Sequence, residues 1–303
     1  MLTRMIPGGG DAPRDGPGWV HATAPDAGER ARLTGEFGVP ASLVNHALDP
    51  DEPARLDREG EVHLVILRIP RAMGERADVP YRTMPLGIVV LRTGVITISP
   101  APTPVVDAVA SHPHLSLADR EQLLLLLLQE TAKEYQEQLG RINAAIDRAE
   151  ERLQRALQNR EVVELLRWQK CLTYFTIGLQ SNQLLLERLQ RSTFLDQPED
   201  QELLEDVITE VAQAASIATT SSHILGDMMD AFASIISNNL NVVMKFLTAF
   251  TVVLAIPTLI ASLYGMNVGL PFQHSPLAFS AIALVSGLII LVMGWIFWRR
   301  GWF

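Results

Sequence analysis

The chain has 303 residues, a formal net charge of −9 and a charged fraction of 19%, below the roughly 25% usual for soluble domains. The deficit is local: Phe246 to Trp298, about 53 consecutive positions, contains no Asp, Glu, Lys or Arg, so all 25 Lys and Arg and all 34 Asp and Glu lie elsewhere. A purely soluble enzyme, a collagen-like or disordered chain and a many-span carrier are excluded, because such a stretch holds two spans of about 20 residues and a short loop.

Residues 1–17 are rich in Gly and Pro and read as a flexible tail. Residues 1–30 contain no apolar run of signal-peptide length, so the N-terminus is expected to stay in the cytoplasm. From Trp19 the pattern becomes globular, with a short strand at Trp19-Val20-His21 and short helices over Glu29 to Phe37 and Pro40 to Leu48. Three β-rich runs follow, Val62 to Ile69, Met84 to Arg92 and Val95 to Ser99, the last two joined by a Thr93-Gly94 turn. Helices before and after these runs predict an α/β unit whose sheet is covered by helices.

Beyond Pro104 the chain is helical. A short helix is predicted over Val105 to Ser111, and a long one from Leu117 to about Asn159, in which the uniformly apolar Leu123 to Leu128 must be buried. A second long helix covers Glu161 to Phe194, and Pro198 marks the turn into a third. From Glu199 to Leu263 the breakers are only Gly226 and Pro257. That predicts one helix of about 65 residues, roughly 95 to 100 Å long at 1.5 Å per residue. A bilayer core is only about 30 Å thick, so this helix must start in the cytoplasm and end inside the membrane.

The resulting division is a tail (1–17), a cytoplasmic α/β and helical domain (18–198), a cytoplasmic stalk helix (199–241), a first span (242–264), an external loop (265–276), a second span (277–298) and a cytoplasmic end (299–303). Lys245 flanks the first span, Arg299 and Arg300 flank the second, and the loop between has no Lys or Arg. By the positive-inside rule both termini are cytoplasmic, with Trp295, Trp298 and Trp302 at the inner interface.

Each span bonds its own backbone internally, so two spans enclose no hydrophilic path. A conducting form must be an oligomer with one helix per subunit facing a shared axis. Projected at 100° per residue, Asn241, Met244, Thr248, Thr251, Ala255, Thr258 and Ser262 fall within about a quarter of the circumference of the first span. Val243, Phe246, Phe250, Val253, Leu254 and Ile260 lie on the other side, suited to lipid or to the second span. Small and polar residues also line close helix contacts in membranes, so the stripe alone fits a pore and a packing face equally.

The loop separates these readings. Tyr264-Gly265-Met266-Asn267 follows the first span, preceded by Asn241-Val242-Val243-Met244-Lys245-Phe246-Leu247-Thr248 and Ile256-Pro257-Thr258. In these residues, their spacing and the two-span end, the chain resembles the CorA family of divalent-cation channels, whose signature is Gly-Met-Asn at this place. The resemblance covers nearly the whole chain. It implies a homopentamer with a CorA-like funnel, its α/β cytoplasmic domain followed by the long stalk helix and two transmembrane helices. It also implies transport of Mg²⁺, often with Co²⁺ or Ni²⁺, and no enzymatic activity or cofactor.

By position, Tyr264, Gly265, Met266 and Asn267 would form the external mouth, with Asn241, Met244, Leu247, Thr248, Thr251, Ala255, Thr258 and Ser262 lining the path. Mg²⁺ sheds water reluctantly, so neutral acceptors at Asn267 suit a hydrated ion, while Met244 and Leu247 suit an apolar constriction. Packing of Met244 between helices, or capping of the helix end by Asn267, competes with these roles. The carboxylate that many members carry after the signature is missing from Val268-Gly269-Leu270-Pro271-Phe272-Gln273-His274. A regulatory metal site implied on the stalk falls at Asp206; its partner region falls near Asn45 and His46, with Asp49, Asp51 and Glu52 close by. The alternatives are a zinc carrier of the ZntB branch and a non-conducting, membrane-anchored metal sensor or scaffold. His112 and His114, and the charged run around Arg148, Glu150, Glu151 and Arg152, read as solvated surface.

Overall fold

A computed structural model of the chain describes residues 1–5, 18–74, 77–113, 115, 117, 119–156, 159–192, 194–195, 197–269, 271 and 275–302. His114, Leu270, Phe272, Gln273, His274 and most of the predicted tail therefore lie outside the described residues. The described chain forms two compact units, Met1–Asp227 and Met228–Phe303.

The first unit is built on a six-stranded sheet of β1 (Leu2–Met5), β2 (Gly18–Thr23), β3 (Arg55–Glu59), β4 (Val62–Ala72), β5 (Tyr81–Leu91) and β6 (Gly94–Ser99), in the order β1-β2-β6-β5-β4-β3. Only the β2–β6 pair is parallel. That pairing requires a crossover, which carries α1 (Ala27–Gly35) and α2 (Ala41–Leu48) over one sheet face. There Leu33, Leu43, Val44 and Ala47 close over Leu64, Ile66, Val89, Ile96 and Ile98. At the β5–β6 turn, Gly94 has φ of 153°, and a Cβ there would collide with the Gly18 carbonyl, so the turn needs glycine.

Two strands depart from the sequence expectations. Leu2–Met5, predicted as part of a flexible tail, pairs antiparallel with β2 as an edge strand. Leu2 packs against the core cluster, and its N–H donates to Glu29 Oε1 at 2.9 Å. Glu29 also closes the capping box of α1 with Asp26. Strand β3, with the sequence RLDRE, carries no apolar alternation because it is the opposite edge and pairs only with β4.

The other sheet face is covered by α4 (Arg120–Ala156) and α5 (Asn159–Gln190), with α3 (Pro104–Ala110) beside α4. Leu123, Leu124, Leu125, Leu127 and Leu128 are buried here. Tyr135 stands edge-on to Phe175, ring centroids 5.2 Å apart, and its hydroxyl donates to the Arg68 carbonyl at 3.0 Å. Asn182 pairs with the same strand residue twice, accepting from Arg68 N–H and donating to its carbonyl. Cys171 is buried and free, accepts from Tyr81 N–H at 3.3 Å, and has its thiol pushed up to about 11 by burial. A buried thiol held protonated in this way is chemically inert.

The long third helix is α6 (Pro198–Tyr264), 67 residues without interruption despite Pro257. It passes from the first unit into the second, which also contains α7 (Ala278–Arg299).

Candidate functional site

The C-terminal half of α6 is long and apolar enough to cross a membrane, as is α7, and their most apolar windows are 6% and 0% buried. Burial within this unit is patterned. On α6 the less exposed positions are Ala249, Val252, Val253, Ile256, Pro257 and Ile260, at spacings of three and four. On α7 they are Ala278, Ile282, Ser286, Gly287, Ile289, Met293, Gly294, Ile296 and Phe297. Two single-sided seams of this kind are the mark of helices lying side by side. Of the bulky side expected to face lipid or the second span, Val253 and Ile260 belong to this seam, whereas Val243, Phe246, Phe250 and Leu254 stay exposed. Phe246 and Phe250 stack with centroids 6.4 Å apart.

The small and polar stripe lies on a third face. Asn241, Met244, Thr248, Thr251, Ala255, Thr258 and Ser262 are all exposed, as is Leu247 beside them. Packing within one chain therefore does not account for the stripe. Thr251 and Thr258 donate their hydroxyls to the Leu247 and Leu254 carbonyls at 2.8 and 2.7 Å. With the proton committed to the helix, each oxygen turns only lone pairs outward, the polarity that suits the waters around a cation. Pro257, which has no N–H, leaves the Val253 carbonyl without its helical donor.

Helix α6 closes at the predicted mouth. Gly265 N–H is shared between the Ala261 and Ser262 carbonyls at 3.0 and 3.2 Å, and Met266 N–H donates to the Leu263 carbonyl at 3.3 Å. Tyr264, Gly265, Met266 and Asn267 are exposed. The Asn267 side chain makes no hydrogen bond among the described residues, so capping does not occupy it. A Cβ on Gly265 would meet the Ala261 and Ser262 carbonyl oxygens at 3.4 and 3.5 Å, ordinary contact distances. Among the described residues, nothing within one chain demands glycine at that position. At the opposite end of α7, Arg299 lies over the Trp295 ring at 5.3 Å, and Phe297 stacks on Trp302 at 5.2 Å. Such pairs suit an interfacial aromatic belt.

Asp206 is exposed on α6. Among the described residues no group of three or more His, Cys, Asp or Glu could hold a metal ion within one chain. The region expected to supply a partner is occupied internally. His46 Nδ1 lies 2.9 Å from Arg55 Nη2, Glu52 pairs with Arg55 at 3.1 Å, and Arg68 donates to the Pro50 and Glu52 carbonyls. These two arginines could not be assigned to the loop from the sequence, because Arg68 reaches it from the adjacent strand β4. Asp49 and Asp51 remain exposed.

An α/β domain joined by one continuous helix to a two-helix apolar hairpin defines a class of membrane transport protein. Residues 15–300 match the CorA-like Mg²⁺ transporter protein family, and the chain belongs to that family of membrane transporters. It is 27% identical over 296 residues to the cobalt/magnesium transport protein CorA of Methanocaldococcus jannaschii, covering 94% of this chain and 90% of that one. The complete structure of the CorA magnesium transporter from the same organism superposes with a TM-score of 0.84 at 25% identity, covering 95% of this chain and 92% of that chain. The full-length CmaX protein shares the fold, with a TM-score of 0.73 at 17% identity over 95% of this chain and 90% of that chain.

Proposed function

We propose that the chain is a homopentameric channel admitting Mg²⁺, with Co²⁺ or Ni²⁺ as further cargo, across the plasma or inner membrane. The observation that carries this reading is the exposed polar stripe of α6, clear of the seam with α7 and ending at Gly265-Met266-Asn267. In the pentamer the stripes of five α6 helices surround one axis. Hydrated Mg²⁺ meets the Asn267 side-chain carbonyls first, then the outward lone pairs of Thr258 and Thr251. Neutral acceptors exchange hydrogen bonds with the ion's waters without the tight grip of a carboxylate ring. Met244 and Leu247 then impose an apolar constriction that stays dry until the helices spread. The lack of any requirement for glycine within one chain supports a second part of this reading: at Gly265 the missing side chain leaves room for neighbouring copies.

Residues 18–198 and the stalk 199–241 are cytoplasmic in this arrangement, with spans at 242–264 and 277–298, an external loop at 265–276 and lipid against Phe246, Phe250 and Leu254. Both termini are cytoplasmic. The membrane potential favours influx of a divalent cation by about 4.6 kcal/mol per 100 mV. Cytoplasmic Mg²⁺ bound at Asp206 and completed by carboxylates of a neighbouring copy holds the stalks together, and its loss frees them to move.

The test is ion flux into proteoliposomes across Mg²⁺, Co²⁺, Ni²⁺ and Zn²⁺, with and without a pH gradient. Mg²⁺ uptake lost in Asn267→Ala supports the channel. Absence of flux for every ion, with metal binding retained, assigns the protein to sensing or scaffolding instead. For regulation, Asp206→Ala weakens the protection from protease that Mg²⁺ gives the cytoplasmic domain; unchanged protection removes that site.

A further inference from the structure

We infer that the first unit carries a site for a small zwitterion, an α-amino acid with an aliphatic side chain, in a cavity between α4, the end of β4 and the β6–α3 connection. The cavity has a volume of about 530 Å³, within the range of small-ligand sites. Its lining carries both signs of charge in equal number, Arg71 from β4 and Arg141 from α4 against Glu134 and Glu137 from α4. A lining that is neutral in sum favours neither a simple anion nor a metal cation. It complements a molecule that itself carries both charges.

The acceptor side is incomplete within the chain. Gln138 borders the cavity beside the two carboxylates and is 5% exposed. Its Nε2 donates to Glu134 Oε1 at 2.7 Å, which fixes the amide and leaves Oε1 buried without a hydrogen-bond partner. A buried acceptor without a donor is costly. An ammonium group supplies the missing N–H, and its charge is balanced by Glu134 and Glu137, which stand four and one positions before Gln138 on one face of α4. Glu137 pairs only with Arg141, at 3.7 Å and with the two side chains 65% and 62% exposed. So loose a pair leaves both groups available to a ligand.

The donor side is equally open. The Arg71 side chain makes no ion pair or hydrogen bond among the described residues. In the β4–β5 register Arg71 stands directly opposite Arg82, and like charges facing each other across a strand pair repel. Arg82 lies over the Tyr174 ring at 5.4 Å, which leaves Arg71 as the guanidinium open to a ligand carboxylate through paired donors. The rest of the border is Pro70, Ala101, Pro102 and Pro104. Proline offers aliphatic contact and no N–H, so this border suits an apolar side chain.

Isothermal titration of the full-length protein in detergent reads this site independently of ion flux. L-Leucine is expected to bind saturably. Isocaproate, which lacks the ammonium group, and isoamylamine, which lacks the carboxylate, are each expected to bind at least tenfold more weakly. Arg71→Gln is expected to weaken leucine binding at least tenfold at unchanged thermal stability, since its side chain has no structural partner. Gln138→Met, similar in length and without the acceptor, is expected to weaken it as well. Absence of saturable leucine binding, or unchanged affinity in either variant, overturns the site. Equal affinity for leucine and either analogue overturns the zwitterion assignment.

Discussion

The two units solve the same problem, hiding apolar surface from water, in opposite ways. In the first, Ile66, Leu67, Ile88 and Ile96 on the sheet are closed over by helices of the same chain to 2% exposure or less. In the second, Leu254, Leu259, Leu284 and Leu291 are at least half exposed. A self-contained core supplies its own apolar medium, whereas these spans require one from outside the chain. Substitutions should therefore divide into those that unfold the first unit and those that leave folding intact but alter flux.

The largest expected effect is at Tyr135. Its ring is fully buried against Phe175 and its hydroxyl holds the Arg68 carbonyl. Tyr135→Ala should cost about 3 to 5 kcal/mol, the range for removing a buried aromatic ring. Denaturant titration of the purified protein checks this, and a loss below about 1 kcal/mol would mean that the core is not close-packed there.

Two glycines sharpen the contrast. A Cβ at Gly178 would sit 2.6 Å from the Tyr135 hydroxyl and 3.0 Å from Thr83 Cγ2, so Gly178→Ala should destabilise by about 1 to 3 kcal/mol through overpacking. Gly265→Ala meets only ordinary contacts within its own chain and should change stability by less than about 0.5 kcal/mol, while reducing Mg²⁺ flux in proteoliposomes. Unaltered flux in Gly265→Ala would break the link between that glycine and neighbouring copies.

Much of this was legible in the sequence. The charge-free stretch located the apolar helices, β-branched runs located β4, β5 and β6, and the residues around Gly265-Met266-Asn267 carried the family. Edge strands β1 and β3 were not legible, because Leu2–Met5 offers too few residues for a pattern and Arg55–Glu59 is polar at every position but Leu56. The face of α6 that meets α7 was also hidden: helical projection groups Val253 and Ile260 with Phe250, and only the neighbouring helix distinguishes them.

The smallest effect concerns pH and lies in the first unit. His21 is buried on β2 with its Nδ1 2.9 Å from Thr97 Oγ1, which also accepts from Trp19 Nε1 at 3.0 Å. Burial holds its imidazole below the usual value of 6.5, outweighing the bond to Thr97 and the attraction of Asp107. Below pH 6.5 the unfolded chain therefore binds more protons at this residue than the folded one, and stability falls as pH drops until the folded value is passed. Thermal unfolding followed from pH 7.5 to 5.5 should show a falling midpoint, and His21→Gln should flatten that slope. An equal slope in the variant would move the acid sensitivity to another group, for which His63, also held low by burial, is the next to examine.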